Sequence, residues 1–454
     1  MGATVEMPVW LLVLILLFAG VTFASHFLFP SVRWFFRKRA ERVIAELNKR
    51  LERPIQPFKL ARRYDMIQRL IYDPEVLRAV AAHAAAEGVP ENVAFEQARR
   101  YAREIVPSFS ASAYFGVATR LARMISTSLY RVRLGHYAGD ALAQVDRDAT
   151  VVFVINHRSN MDYVLVTYLA AERSALSYAV GEWGRVWPLS ALIRAMGAYF
   201  IRRKRFGPLY KAVLSRYVQL ATEAGVTQAV FPEGGLSLTG AIAPPKRGIL
   251  KYIVEGHDPD ARDVVFVPVA VNYDRVLEDR VLLAARAAGE RRFTARLGTV
   301  LGFVGKMLRL RLKGQFHRFG YASVSFGEPL SLKTFGSDVP ALADELMARI
   351  AAEVPVLPVP LVATALLQAE EPLNRAELDR AVRRLVDDLP EAHLHMPRQD
   401  VGYMVEVGLR MLTQRHLVDE AGGFILLEPQ ERGLLEFYAA SIAHLFRGRS
   451  TGSR

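Results

Sequence analysis

The sequence predicts an α/β protein: a sheet covered by helices, with one N-terminal transmembrane helix and helical flanking regions. Three observations predict it. Between residue 150 and about residue 330, short β-type runs alternate with helical patterns, the order that builds a helix-covered sheet. From Pro8 to Phe29 no Lys, Arg, Asp or Glu interrupts the apolar run, long enough as a helix to span about 30 Å of hydrocarbon. Ahead of the β-rich stretch, residues 31 to about 135 read mostly helical and basic, with Ala, Arg, Glu and Leu dominating as in RKRAERVIAELNKRL.

The 454 residues can hold two or three domains, and 51% are hydrophobic, so a large core is available. Lys and Arg number 59 against 46 Asp and Glu, a net charge of +13. That balance points to nucleic acid, an anionic membrane surface or anionic substrates. There are no cysteines, which excludes disulfides, thiolate metal sites and a Cys nucleophile.

The apolar run Pro8–Phe29 is apolar on every face, with Trp10 and Trp34 near its ends. Only Glu6 precedes it, whereas Arg33, Arg37, Lys38, Arg39 and Arg42 follow. A cleaved secretory signal carries its positive charge first. The positive-inside rule therefore predicts a single-pass protein of the cell inner membrane, with the N-terminus outside and the rest cytoplasmic. Residues 1–30 are the expected anchor and 31–135 a basic helical region. Residues 136–354 are the expected α/β domain and 355–454 a C-terminal helical, winged-helix-like module. The stretch PVLPVP, Pro355 to Pro360, reads as the linker between the last two. Helical patterns over Arg375–Asp388 and Val401–Arg415 lead to a hairpin around Gly422-Gly423.

Within the α/β stretch the strands fall at Val151–Ile155, Leu176–Val180, Ala198–Ile201, Gln228–Phe231, Val264–Val271 and Ala322–Phe326. Helices fit Pro208–Glu223 and Arg247–Val254. No glycine-rich nucleotide fingerprint and no phosphate loop follows any strand. An Arg-rich segment from Arg280 to Arg318 repeats Leu297, Leu301, Val304 and Leu308 at helical spacing. A basic amphipathic helix of this kind suits anionic membrane lipids.

Candidate chemistry collects at strand ends, where side chains project into the ligand crevice of α/β proteins. The run Val151–Ile155 stops at Asn156-His157, and Asp162 follows five residues after His157. A His with a carboxylate close behind is a general base with its orienting group. The same residues also suit a strand end followed by a helix cap at Ser159, Asn160 or Asp162. Arg202 and Arg203 leave the next cluster, GAYFIRR, and suit a phosphate. Glu233 and Gly234 stand in FPEGG, where paired glycines let a ligand approach the backbone. Lys246 and Arg247 add cations after that turn. Pro268 interrupts the apolar strand VPVAVNYD, which suggests a sheet edge or a bulge.

NHRSNMD, GAYFIRR, FPEGG and VPVAVNYD, in this order and spacing, resemble the four blocks of the glycerolipid acyltransferases. NHRSNMDYVL and GAYFIRR resemble most closely those of the bacterial glycerol-3-phosphate acyltransferases. LVATALL near residue 361 and FYAASIAHLF near residue 437 are similar to that branch as well. The resemblance implies that family's mixed sheet covered by helices and its His-x4-Asp pair as His157 and Asp162. It implies a membrane enzyme that moves a fatty acyl group from acyl-CoA or acyl-carrier protein to a hydroxyl of glycerol-3-phosphate or a lysophospholipid. No metal and no cofactor is required, and nucleic acid is not an expected partner. By the same resemblance Arg203, Glu233 and Gly234 belong to acceptor binding and Pro268 to the acyl side. One departure stands out. Where the bacterial relatives carry two alternate Arg residues after Glu-Gly-Gly, this chain has Leu236 and Leu238. Arg202, Arg203, Lys246 and Arg247 are then the cations left for an acceptor phosphate. A non-enzymatic membrane tether is the rival reading, and the intact His157 and Asp162 pair argues against it.

Overall fold

The structure, a computed structural model, describes residues 7–23, 38, 42–170, 175–181, 189–202, 207–289, 309, 313–314, 317–389 and 400–446. The chain divides into two units, Met1–Ile55 and Gln56–Arg454.

In the first unit, α1 spans Val9–Phe23, 15 residues with no charged side chain. At 1.5 Å per residue it is about 22 Å long, short of the hydrocarbon thickness. Among the described residues no helix is long and apolar enough to cross a membrane. The rest of the expected span, residues 24–29, lies outside the described residues. The same holds for Leu297, Leu301, Val304 and Leu308 in the Arg-rich segment.

In the second unit a short helical turn at Pro57–Leu60 is followed by α2 (Arg63–Ile71), α3 (Pro74–Glu87) and α4 (Glu91–Ile105). Pro74 stands at the first turn of α3, and Asp73 caps it by accepting from the Glu75 N–H at 3.0 Å. A π-helical segment, Ser112–Ala118, runs into α5 (Thr119–Leu129). Strand β1 (Arg131–Tyr137) follows, then β2 (Thr150–Ile155) and α6 (Met161–Ala170). Next come β3 (Ser177–Val180), α7 (Leu189–Ala195), β4 (Tyr199–Phe200) and α8 (Pro208–Glu223). Strand β5 (Gln228–Val230), α9 (Gly248–Glu255), β6 (Val264–Tyr273) and α10 (Asp279–Ala287) complete the part that carries the sequence clusters. Strands β7 (Tyr321–Phe326) and β8 (Leu330–Ser331) close the sheet.

The sheet order is β1-β7-β6-β2-β5-β3-β4, with β8 also on β6. It is mixed. The strands β6, β2, β5, β3 and β4 pair in parallel, whereas β7 and β8 run antiparallel to β6. Every residue of β2, β6 and β7 is buried, so helices cover both faces there, as a parallel sheet requires. Strand β1 is absent from the sequence-based assignment. It is an edge strand with exposed Arg131, Arg133 and Leu134, so its pattern lacks an apolar run.

Pro268 proves not to mark an edge. It sits in β6, paired with Val154 of β2, and β6 is flanked on both sides. Its carbonyl accepts from the Gly327 N–H at 2.9 Å, so its backbone polar groups face the β7 and β8 side. There the partner changes from β7, which ends opposite Val269, to β8, which begins opposite Phe266. The missing N–H of proline falls in that gap and breaks no ladder bond.

The expected linker Pro355–Pro360 is not one. Val356 and Leu357 are buried, and Pro358 opens α12 (Pro358–Gln368), whose residues Pro358–Leu366 are all buried. Proline at the first turn of a helix costs nothing, so the run starts a core helix. It follows α11 (Val339–Ala352) and leads to α13 (Arg375–Asp387) and α14 (Val401–Gln414). Strands β9 (Val418–Ala421) and β10 (Phe424–Leu427) form the antiparallel hairpin expected at Gly422-Gly423. Helix α15 (Arg432–Ala439) follows the hairpin.

Candidate active site

Strands β6, β2 and β5 are neighbours and run in parallel, so their C-terminal ends meet at one edge of the sheet. This is where an open α/β sheet offers a crevice. Three of the clusters read from the sequence end there. The fourth, with Arg202, follows β4 at the far end of the order.

Asn156 ends β2. Its side-chain NH2 donates to the Val271 carbonyl at 3.0 Å and its side-chain oxygen accepts from the Val271 N–H at 2.7 Å. The amide thus replaces one step of the ladder, and the backbone is free to turn away from β6 at His157.

The turn then winds around one carboxylate. Oδ2 of Asp162 accepts from Nδ1 of His157 at 2.9 Å, from the Arg158 N–H at 2.7 Å and from the Ser159 N–H at 3.0 Å. Oδ1 accepts from the hydroxyl of Tyr273 at 2.7 Å. Burial, reinforced by the charge of Asp162, raises the Tyr273 pKa well above its ordinary value, so this hydroxyl stays a donor. A carboxylate only accepts, so Nδ1 carries the proton and Nε2 of His157 is the basic nitrogen. Among the described residues Nε2 has no hydrogen-bond partner. The imidazole is held by the Phe231 ring at 4.3 Å between centroids and by the edge of Tyr163 at 5.4 Å. Both His157 and Asp162 are buried, at 1% and 0% exposure.

The turn after β5 fixes the His157 backbone. Glu233 Oε1 accepts from the His157 N–H at 2.7 Å, and the Ser237 N–H donates to the His157 carbonyl at 2.9 Å. Glu233 Oε2 accepts from the Ala243 N–H at 2.8 Å. Burial pushes the Glu233 carboxyl up to about 7, against the pull of its two backbone donors. Gly234 stands at a positive φ of 67°, and the Lys246 side chain lies over it. Leu236 and Leu238 are half-buried against the core. Arg158 is buried, bonded to the Gly240 carbonyl and 5.4 Å from the centre of the Phe437 ring in α15. Burial holds its pKa below the ordinary value, with Glu233 and Asp162 opposing.

The structure therefore brings together His157, Asp162, Glu233, Gly234 and Lys246. It places others elsewhere. Arg202 is engaged by Glu104 through Nε at 2.9 Å and Nη2 at 2.6 Å, and its guanidinium lies over Tyr101 and Tyr210. Arg247 is exposed, 3.8 Å from Asp344. Pro268 is a core strand residue, and Arg203 lies outside the described residues. Sequence reasoning missed Tyr273, Ser237 and Glu278. Glu278 accepts from Ser159 and Asn160, over 100 residues away in the chain. No local pattern signals such a pairing. Among the described residues no group of three or more His, Asp or Glu could hold a metal ion.

The chain is similar in sequence to known acyltransferases. Residues 140–272 match the acyltransferase family model, and residues 304–452 match that of the glycerol-3-phosphate acyltransferase C-terminal region. The glycerol-3-phosphate acyltransferase of Aeromonas hydrophila is 29% identical over 429 residues, covering 86% of this chain and 50% of its own length. That of Pseudomonas fluorescens is 28% identical over 448 residues, covering 90% and 51%. The chain thus spans about half the length of the curated relatives it matches. The crystal structure of the 1-acyl-sn-glycerophosphate acyltransferase of Thermotoga maritima aligns with 52% of this chain and 78% of its own, at 19% identity and a TM-score of 0.33. With a match to the acyltransferase model followed by one to the glycerol-3-phosphate acyltransferase C-terminal region, the chain is similar in sequence to bacterial glycerol-3-phosphate acyltransferases.

Proposed function

We propose that this protein is an O-acyltransferase that moves a fatty acyl group from acyl-CoA or acyl-carrier protein to a hydroxyl of glycerol-3-phosphate. The observation that carries the proposal is the His157–Asp162 pair, whose Nδ1–H is held at 2.9 Å and whose Nε2 is left basic. Nε2 takes the proton of the acceptor hydroxyl as its oxygen attacks the thioester carbonyl. A C–O bond forms and the C–S bond breaks. The leaving thiolate recovers the proton from the imidazolium. Asp162 keeps the ring in one tautomer and stabilises its charge during the transfer. Arg203 and Lys246 are the proposed partners of the acceptor phosphate.

A second reading, acylation of a lysophospholipid or another acceptor, rests on Leu236 and Leu238, which offer no donor to a phosphate. Membrane attachment is part of the proposal as well. The apolar α1 and the Arg and Lys that follow it support an inner-membrane anchor with the catalytic unit on the cytoplasmic side. The test is acyl transfer from labelled acyl-CoA and acyl-carrier protein by the purified protein, with a panel of acceptors. Transfer to glycerol-3-phosphate above all others is the expected result. Transfer to none of the panel would end the proposal.

A further inference from the structure

We infer that Glu278 is a positioning residue for the His157 turn, seated by the C-terminal helices; the inference rests on the acyl-transfer reading above. Glu278 is 8% exposed and lies just before α10, beyond the end of β6. Its Oε2 accepts from the Ser159 hydroxyl at 2.7 Å. Its Oε1 accepts from the Asn160 N–H at 3.2 Å and from the Asn160 side-chain NH2 at 3.0 Å. The Ser159 oxygen in turn accepts from the Met161 N–H at 3.1 Å, at the start of α6.

The six residues from His157 to Asp162 are thus gripped by two carboxylates. Asp162 gathers the N–H groups on the inside of the turn, and Glu278 gathers Ser159 and Asn160 from a different element. Both of those residues sit between the base and its orienting carboxylate. Removing Glu278 leaves the buried Ser159 hydroxyl and the half-buried Asn160 donors without their acceptor, which favours a rearranged turn. The ring of His157 moves with it. Glu278 itself touches no group that reacts.

The C-terminal part fixes Glu278 in place. The next residue, Asp279, accepts from Nη2 of Arg415, which follows α14, and from the hydroxyl of Tyr438 in α15. The Tyr438 oxygen also accepts from the Val276 N–H at 3.2 Å and from Nη1 of Arg415 at 2.9 Å. The segment Val276–Asp279 is therefore held from behind, with Glu278 directed at the turn. Asn160 and Tyr438 are thereby joined through Glu278 and Asp279.

The test uses the full-length protein and two readouts. Glu278→Ala should lower kcat by about 10²-fold, the scale of a small misplacement at the reacting group, with both KM values little changed. Backbone amide exchange should speed up in the peptide covering 157–162 and stay unchanged in the sheet strands. Glu278→Gln keeps an acceptor for Asn160 and should recover kcat to within about tenfold of wild type. Tyr438→Phe, a milder change, should raise exchange at 157–162 and lower kcat by about threefold to tenfold. Wild-type kcat or unchanged exchange in Glu278→Ala would overturn the inference, and so would faster exchange throughout the protein. If the wild type transfers no acyl group, the functional reading fails and the exchange readout alone decides the role of Glu278.

Discussion

Oδ2 of Asp162 lies 2.9 Å from Nδ1 of His157, although the pair sits on opposite sides of a turn. The same oxygen takes two backbone N–H groups, so the carboxylate both builds the turn and orients the base. His157→Ala should therefore lower kcat by about 10²–10⁴-fold while the fold persists, because the ring donates only one of the bonds that hold the turn. Circular dichroism and initial rates check this. Near-wild-type turnover would remove His157 from the mechanism.

Asp162→Asn separates the two roles of that carboxylate. The amide oxygen can still face the three N–H groups, and its NH2 can donate to the Tyr273 oxygen. The turn should survive, but the imidazolium loses its counter-charge. kcat should fall by about 10²–10⁴-fold with acceptor KM nearly constant. A large rise in KM with kcat preserved would assign Asp162 to substrate binding instead.

Asp274 gives the fold a pH dependence. It is fully buried, accepts from the Val359 N–H at 2.8 Å and the Tyr321 N–H at 2.7 Å, and burial raises its pKa from 3.8 to about 7. Between those values the native state holds a proton that the unfolded chain has lost. Stability is therefore fullest below the unfolded pKa and declines as pH rises through about 7, by on the order of a few kcal/mol. Glu233, raised to about 7, adds a decline of the same sign. Asp274→Asn should lower Tm at every pH, since one N–H then faces an NH2. Its Tm should nevertheless change less than wild type between pH 5 and 8. An unchanged slope in thermal melts across that range would contradict the assignment.

The sheet interior and the His157 turn are legible in the sequence because both are local. Thr150–Ile155 is a short β-branched run, and Asp162 lies within one turn of His157. The edge strand β1 is not legible, since its exposed residues Arg131, Arg133 and Leu134 break the apolar pattern that marks a strand. Pro355–Pro360 misleads because proline marks both linkers and helix starts, and only burial separates the two. Tyr273 and Glu278 reach the site through the β2–β6 pairing, a relationship between residues over 100 positions apart. Arg202 reads as free for a phosphate because its partner, Glu104, comes from α4.

That ion pair makes Arg202 and Arg203 unequal. Arg202→Ala removes a two-point ion pair and a guanidinium stacked on two rings. It should cost about 1–2 kcal/mol of stability, above the range for an exposed pair, with acceptor KM little changed. Arg203→Ala should raise the glycerol-3-phosphate KM by about 10–150-fold, the effect of one lost charged contact. Equal KM effects from the two variants would mean that the Arg202–Glu104 pair opens to the substrate.

The acceptor itself is tested at Leu236 and Leu238. They flank Ser237, and both pack half-buried against the core. Ser237 between them holds the His157 carbonyl and donates its hydroxyl to the Ala241 carbonyl. The segment is thus fixed beside the base, and what it displays there bears on the acceptor. Arg at both positions can keep its stem on the apolar surface while the guanidinium reaches solvent. If the phosphate lies over this turn, Leu236→Arg with Leu238→Arg should lower the glycerol-3-phosphate KM by about tenfold or more, leaving the acyl-donor KM alone. The wild type would then be an enzyme whose phosphate contacts come from Arg203 and Lys246 alone. If the double variant folds and its KM is unchanged, the phosphate sits away from the turn. If the wild type ignores glycerol-3-phosphate and acylates an acceptor without a phosphate, the two leucines are the reason: an apolar wall beside His157 selects an apolar acceptor.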